Sequence, residues 1–281
     1  MDKYQKIFFE QLSDKQIAQG VTIENMRPLT HAKINGHDIT LILDTGATNT
    51  FLSYEWLEGH NLAHHCKREY TYINDVRVEC LIANLHVCVG NIDKELNICV
   101  RLEDNWKRFQ FDGCLGMDLL IDMPFTLNLV NRELSQWGIT KTPLTEISIT
   151  NTLIAHTQKY STDDNRPRIY ISDSTYDYFP VLFDTGCQKS TISNKSLPNL
   201  KIDTEKEPRP EFDTLGRMHL RQTAKKMTIF IQSNLVQPFF APFISNNEMD
   251  DILGIDLFNG FIVKHYGDYI FEVTGNTHPP C

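Results

Sequence analysis

Two short stretches of the chain, 140 positions apart, carry the same acid in the same setting. LILDTGATNTFLS (residues 41–53) sets Asp44 among apolar residues and follows it with Thr45 and Gly46, and VLFDTGCQKSTIS (residues 181–193) does so with Asp184, Thr185 and Gly186. A carboxylate among Leu, Ile and Phe is costly to bury without a partner. Two carboxylates held a few Å apart repel, so one keeps a proton, and the pair then offers a general base and a general acid together. Peptide-bond hydrolysis needs both, because a water must give up a proton while the carbonyl oxygen and the leaving amine receive one. The spacing predicts Asp44 and Asp184 as that pair. Gly46 and Gly186 allow close backbone approach where a Cβ would collide. The Thr45 and Thr185 hydroxyls are suited to bonding the opposite loop and bracing it.

The repeat extends beyond the acids. GCLGMDLLIDMPFTLNL (113–129) matches DILGIDLFNGFIVKHY (251–266), each with Leu-Gly-x-Asp-Leu, and Gly116 follows Asp44 by 72 positions while Gly254 follows Asp184 by 70. Thr50 aligns with Ser190, and Ser53 with Ser193. Aspartates serving only as turn residues need no second matched block.

On these motifs the chain resembles an aspartic protease of the pepsin and retropepsin superfamily. Asp44-Thr45-Gly46 and Asp184-Thr185-Gly186 fit its active-site motif, and Cys114-Leu115-Gly116 and Ile252-Leu253-Gly254 fit the hydrophobic-hydrophobic-Gly motif beneath it. The wording is nearer to retropepsins, and the match covers most of residues 27–134 and 167–273. The resemblance implies two retropepsin-sized units fused head to tail: an all-β, bilobal, pseudo-two-fold symmetric fold with few short helices. It implies an aspartic endopeptidase acting on peptide or protein substrate, active as a monomer that is an internal pseudo-dimer, with no metal or organic cofactor. It also implies a hairpin flap over the substrate from one or both units. Tyr72 and Ile73 in the first unit, and Leu215 and Gly216 in the second, are the substrate-binding candidates there, although neither segment has the glycine-rich tip familiar in the family. A further departure follows Gly46 and Gly186, where Ala47 and Cys187 stand in place of the Ser or Thr of pepsin-type lobes. Without that hydroxyl donor the carboxylates are less acidic, which predicts a weakly acidic or neutral optimum.

The elements that must position these residues read mostly as strands. Asn35-Gly36 is a two-residue hairpin turn between alternating segments, residues 76–90 and 95–102 continue the pattern, and FTLNLVNREL turns back at Asn131-Arg132. The expected organisation is an N-terminal segment (1–25, with a short amphipathic helix within 4–18), a first unit (26–140), a polar linker (141–165) and a second unit (166–281).

Composition bounds the partners. A net charge of −9 without a block of like charge argues against nucleic acid or an anionic membrane. No stretch has the length of a transmembrane helix, and the N-terminus lacks a signal-peptide pattern. Seven cysteines without a C-x-x-C read as reduced thiols, which predicts a cytoplasmic location or export without a classical signal peptide. His60, His64, His65 and Cys66 read as solvated surface groups rather than metal ligands, and Cys80 and Cys88 as small core residues. Two rivals stay open: a non-catalytic peptide-binding module on the same fold, and an obligate homodimer pairing Asp44 with its own copy.

Overall fold

The computed structural model describes residues 4–6, 8–9, 27–73, 76–90, 92–102, 111–121, 124–128, 133–136, 155–156, 165–172, 178–188, 190–193, 203–204, 209–212, 218–226, 229–231, 234–236, 243–245, 251–255, 261–265 and 271–275. It is an all-β architecture with two short α-helices among the described residues.

Nine strands of the first half have a counterpart each in the second. In the first half they are β1 (Pro28–Ile34), β2 (His37–Leu43), β3 (Phe51–Ser53), β4 (Lys67–Ile73), β5 (Val76–Val89), β6 (Ile92–Arg101), β7 (Gly113–Leu115), β8 (Phe125–Asn128) and β9 (Glu133–Gln136). In the second they are β10 (Arg168–Ser172), β11 (Phe179–Phe183), β12 (Thr191–Ser193), β13 (Arg209–Phe212), β14 (Met218–Lys226), β15 (Phe243–Ser245), β16 (Ile252–Leu253), β17 (Phe261–His265) and β18 (Phe271–Gly275).

The order β1-β2-β7-β3-β6-β5-β4 in the first half is repeated as β10-β11-β16-β12-β15-β14-β13 in the second. Strand direction repeats as well. β2 runs parallel to β7 as β11 does to β16, and β3 runs parallel to β6 as β12 does to β15. A third sheet joins the halves. Its centre is the antiparallel pair β8–β17, flanked by β9 and β18, with Tyr4–Lys6 outside β9 and Ala155–His156 outside β18. The two-fold pattern of the sequence is thus also a two-fold pattern of strand pairing.

Local chemistry accounts for the turns and ends. Asn35 and Gly36 both take positive φ (47° and 82°), the twist a two-residue hairpin needs, and Ile34 pairs with His37 across it. Ser53 caps α1 (Tyr54–Gly59) by accepting from the Trp56 N–H at 3.2 Å. α2 (Met117–Leu120) starts after Gly116, where a Cβ would collide with the backbone of Asn49 and Thr50. One apolar cluster runs through both halves, with Leu41, Leu43, Leu115, Phe183, Ile192, Leu253 and Ile255 among its buried members. The strands that carry the two acids are thereby anchored in shared core.

Three expectations are corrected. Residues 4–6 and 8–9 form strands, not the start of a helix, because the edges of β9 and β1 give their backbone partners. Ala155–His156, inside the expected linker, pairs with β18. Cys88 is half-buried at the surface, whereas Cys80 is in the core as expected. The remainder of the expected helix (7 and 10–18) and residues 141–154 and 157–164 of the linker lie outside the described residues.

Candidate active site

Each acid ends a strand whose exit is fixed by the repeat. β2 delivers Asp44 and β11 delivers Asp184. The backbone N–H of Asp44 donates to Leu115 O at 3.1 Å, and that of Asp184 donates to Leu253 O at 3.0 Å. The Leu-Gly segments therefore hold the two acid loops in equivalent ways. Beyond the acids, Met117 N–H donates to Ala47 O and Ile255 N–H to Cys187 O, both at 2.9 Å.

The threonines lock one loop to the other. Thr45 Oγ1 donates to Phe183 O at 2.7 Å, and Thr185 Oγ1 donates to Leu43 O at 2.6 Å. Each hydroxyl also accepts the other residue's backbone N–H at 3.1 Å. Both threonines are buried, so these four bonds are made away from water, where an unmade bond is costly. Gly46 N–H donates to Asp44 Oδ1 at 3.0 Å and Gly186 N–H to Asp184 Oδ1 at 2.8 Å. A Cβ on Gly46 would collide with the Asp184 carboxyl, and one on Gly186 with that of Asp44. Both positions thus require glycine for close approach.

The two carboxyl groups are hydrogen-bonded to each other, and each aspartate keeps partial access to solvent. Burial is the largest influence on both and raises both above the ordinary carboxylate range. The rest differs between them. At Asp44 the burial effect is opposed by the hydrogen bond from Asp184, by the Gly46 and Ala47 N–H groups and by the Arg101 charge. At Asp184 the negative charge of Asp44 adds to burial and carries its carboxyl well above the usual range. Both carboxyls therefore hold a proton more readily than an isolated carboxylate, and the Arg101 charge acts on the Asp44 side of the pair.

Arg101 was not singled out from the sequence. It is a buried cation at the end of β6, in register with Ser53, with its guanidinium 4.6 Å from the Phe51 ring centroid. Its place in the second half is taken by Ser245, which is in register with Ser193. The half holding Asp44 thus has a cation where the other has none. A charge inside the apolar run Asn97–Leu102 was the available signal. The aligned hydroxyls Thr50 and Ser190 also prove equivalent: Thr50 Oγ1 accepts from Gly116 N–H and Ser190 Oγ from Gly254 N–H, both at 3.0 Å. Thr50 in turn donates its N–H and its hydroxyl to Asp118 Oδ1, each at 2.8 Å.

The hairpin candidates are resolved in part. Tyr72 and Ile73 belong to β4, with Tyr72 opposite Arg77 and Ile73 opposite Val76, so both lie at the tip end of the β4–β5 hairpin. Leu215 and Gly216 lie outside the described residues, between the paired strands β13 and β14 that repeat this hairpin. His60 lies in a local contact, its Nδ1 2.7 Å from Trp56 O.

No protein-family model matches the chain, and no curated protein matches it. Among the described residues no helix is long and apolar enough to cross a membrane.

Proposed function

We propose that the chain is a single-chain aspartic endopeptidase with a bilobal, retropepsin-like fold in which each half supplies one catalytic carboxyl. One observation carries this reading. Two carboxyl groups from equivalent positions of a repeat face each other in a braced pair of loops, and burial raises both above the ordinary carboxylate range.

The residues have these roles in the reaction. Asp44, ionised, accepts a proton from a water held between the carboxyls, and the water oxygen bonds to the substrate carbonyl carbon. Asp184 gives its proton to the carbonyl oxygen as the π-bond electrons move onto it, leaving a neutral gem-diol. When the diol collapses, Asp44 gives its proton to the amine nitrogen as the C–N bond breaks, and one diol hydroxyl returns its proton to Asp184 as the C=O of the new carboxyl forms. The aspartates end again with one proton between them. Thr45, Thr185, Gly46 and Gly186 position the pair. Extended substrate is held by main-chain hydrogen bonds in the manner of an added strand, with the β4–β5 and β13–β14 hairpins as its covers. Asp44 and Asp184 of one chain face each other, which supports the single-chain reading over the homodimer alternative.

The test is cleavage of a denatured protein by the purified chain, with the new termini identified, alongside its mass in solution. Cleavage by a monomer is expected. A chain that binds peptides without cleaving them at any acid-to-neutral pH is a binding module, and that result ends the reading.

A further inference from the structure

At the end of β5 opposite the β4–β5 turn, three side chains outside the aspartate site converge. β5 and β6 close in a hairpin through the pairs Cys88↔Asp93 and Val89↔Ile92, with Gly90 at φ 58°. Strand alternation buries Val87 and Val89 on one face and leaves His86 and Cys88 on the other. Asp93 stands across from Cys88 on that same face.

Cys88 Sγ lies 3.6 Å from His86 Nδ1, and His86 Nε2 lies 2.5 Å from Asp93 Oδ1. One donor atom from each residue, a single ring nitrogen in the case of His86, lies within 4.8 Å of the other two. A tetrahedral zinc ion with its usual sulfur and nitrogen bond lengths separates those two donors by about 3.5 Å. The Cys88–His86 pair is already at that edge length. A thiolate with an imidazole and a carboxylate is a donor set for zinc rather than for calcium or magnesium, which take oxygen. Lys33, in register with Cys88, is the adverse neighbour, but its ammonium is bonded to Asp38 at 2.8 Å.

The geometry points to a zinc-binding site formed by Cys88, His86 and Asp93, with the fourth position open to solvent. His86 and Cys88 come two apart from one strand and Asp93 from its hairpin partner, so the frame is set before metal arrives. On binding, the Cys88 thiol proton passes to solvent and the sulfur lone pair forms the metal bond. The Asp93 side chain is 72% exposed and that of His86 40%, so the site loads directly from water without opening of the fold. It is independent of the aspartate pair and of the proteolytic reading.

Cobalt(II) titration of the full chain tests this, because a thiolate–cobalt bond gives a near-ultraviolet charge-transfer band. The wild type is expected to develop the band to one equivalent and to lose it when zinc is added. Cys88→Ser abolishes it, and His86→Gln weakens cobalt binding by at least about 100-fold. Asp93→Asn weakens binding by about 10–100-fold. The variants' melting without metal, matching the wild type, shows that folding is intact, since all three side chains reach the surface. Zinc raises the wild-type melting temperature and not that of Cys88→Ser. Absence of the band in the wild type, or its persistence in Cys88→Ser through another thiol, overturns the assignment.

Discussion

Thr45 and Thr185 are each other's hydrogen-bond partner twice over. The hydroxyl of each accepts the backbone N–H of the other at 3.1 Å, and each donates to the carbonyl immediately before the other's aspartate, at 2.7 and 2.6 Å. The distance between the carboxyls is thus set by backbone held from the opposite half, and not by the acids themselves.

Replacing either threonine by valine keeps its shape but removes two buried hydrogen bonds, one from the other threonine's N–H and one to a backbone C=O. Losing each such bond costs about 1–3 kcal/mol, so Thr45→Val or Thr185→Val should lower stability by about 2–6 kcal/mol. Denaturant unfolding measures it. Because the hydroxyls form one network, the double variant should cost less than the sum of the single ones. Additive losses would show that the two hydroxyls act independently.

The charge beside Asp44 predicts a response to substitution of Arg101. Its charge favours the ionised form of Asp44, and Ser245 stands at the equivalent place in the other half. Arg101→Met removes that help, so the pKa of Asp44 rises and the acidic limb of the kcat/KM profile moves to higher pH. Arg101→Lys, which keeps the charge, should leave the limb nearer its original place. Ala47→Ser adds a hydroxyl donor beside Asp44 and should move the same limb the other way. If Arg101→Met changes only the height of the profile, Arg101 is a packing residue.

The Asp184 carboxyl also links stability to pH. Its folded-state pKa is raised, by burial and then by Asp44, above the ordinary value of 3.8. From that value upward the folded chain holds a proton that the unfolded chain has lost. Stability from this group is therefore fully present below that value and declines as pH rises through the window up to the raised pKa. Asp184→Asn has no such loss, so its melting temperature should exceed that of the wild type at neutral pH, with the gap closing in acid. A gap that stays constant with pH would contradict the raised pKa.

Much of the site was legible because it is repeated. Asp44 and Asp184, the Gly-mediated approach and the threonine braces are local chemistry stated twice, and the Asn35-Gly36 turn is a two-residue signal. What was not legible depends on partners distant in sequence. Tyr4–Lys6 and Ala155–His156 are too short to show a period and become strands only because β9 and β18 offer them edges. Arg101 was hidden because its effect depends on the parallel pairing of β6 with β3. Cys88 follows the same alternation as Cys80, yet it lies near the hairpin end, where the face that buries Cys80 is open.

The most direct test of the central claim measures cleavage of a denatured protein by the wild type, by Asp44→Asn, by Asp184→Asn and by an equimolar mixture of the two variants. If the two acids of one chain form the catalytic pair, the wild type cleaves and each variant loses at least about 10²–10⁴-fold, and mixing restores nothing. A variant that retains wild-type cleavage, or a mixture that recovers it by pairing intact acids from two chains, contradicts the account.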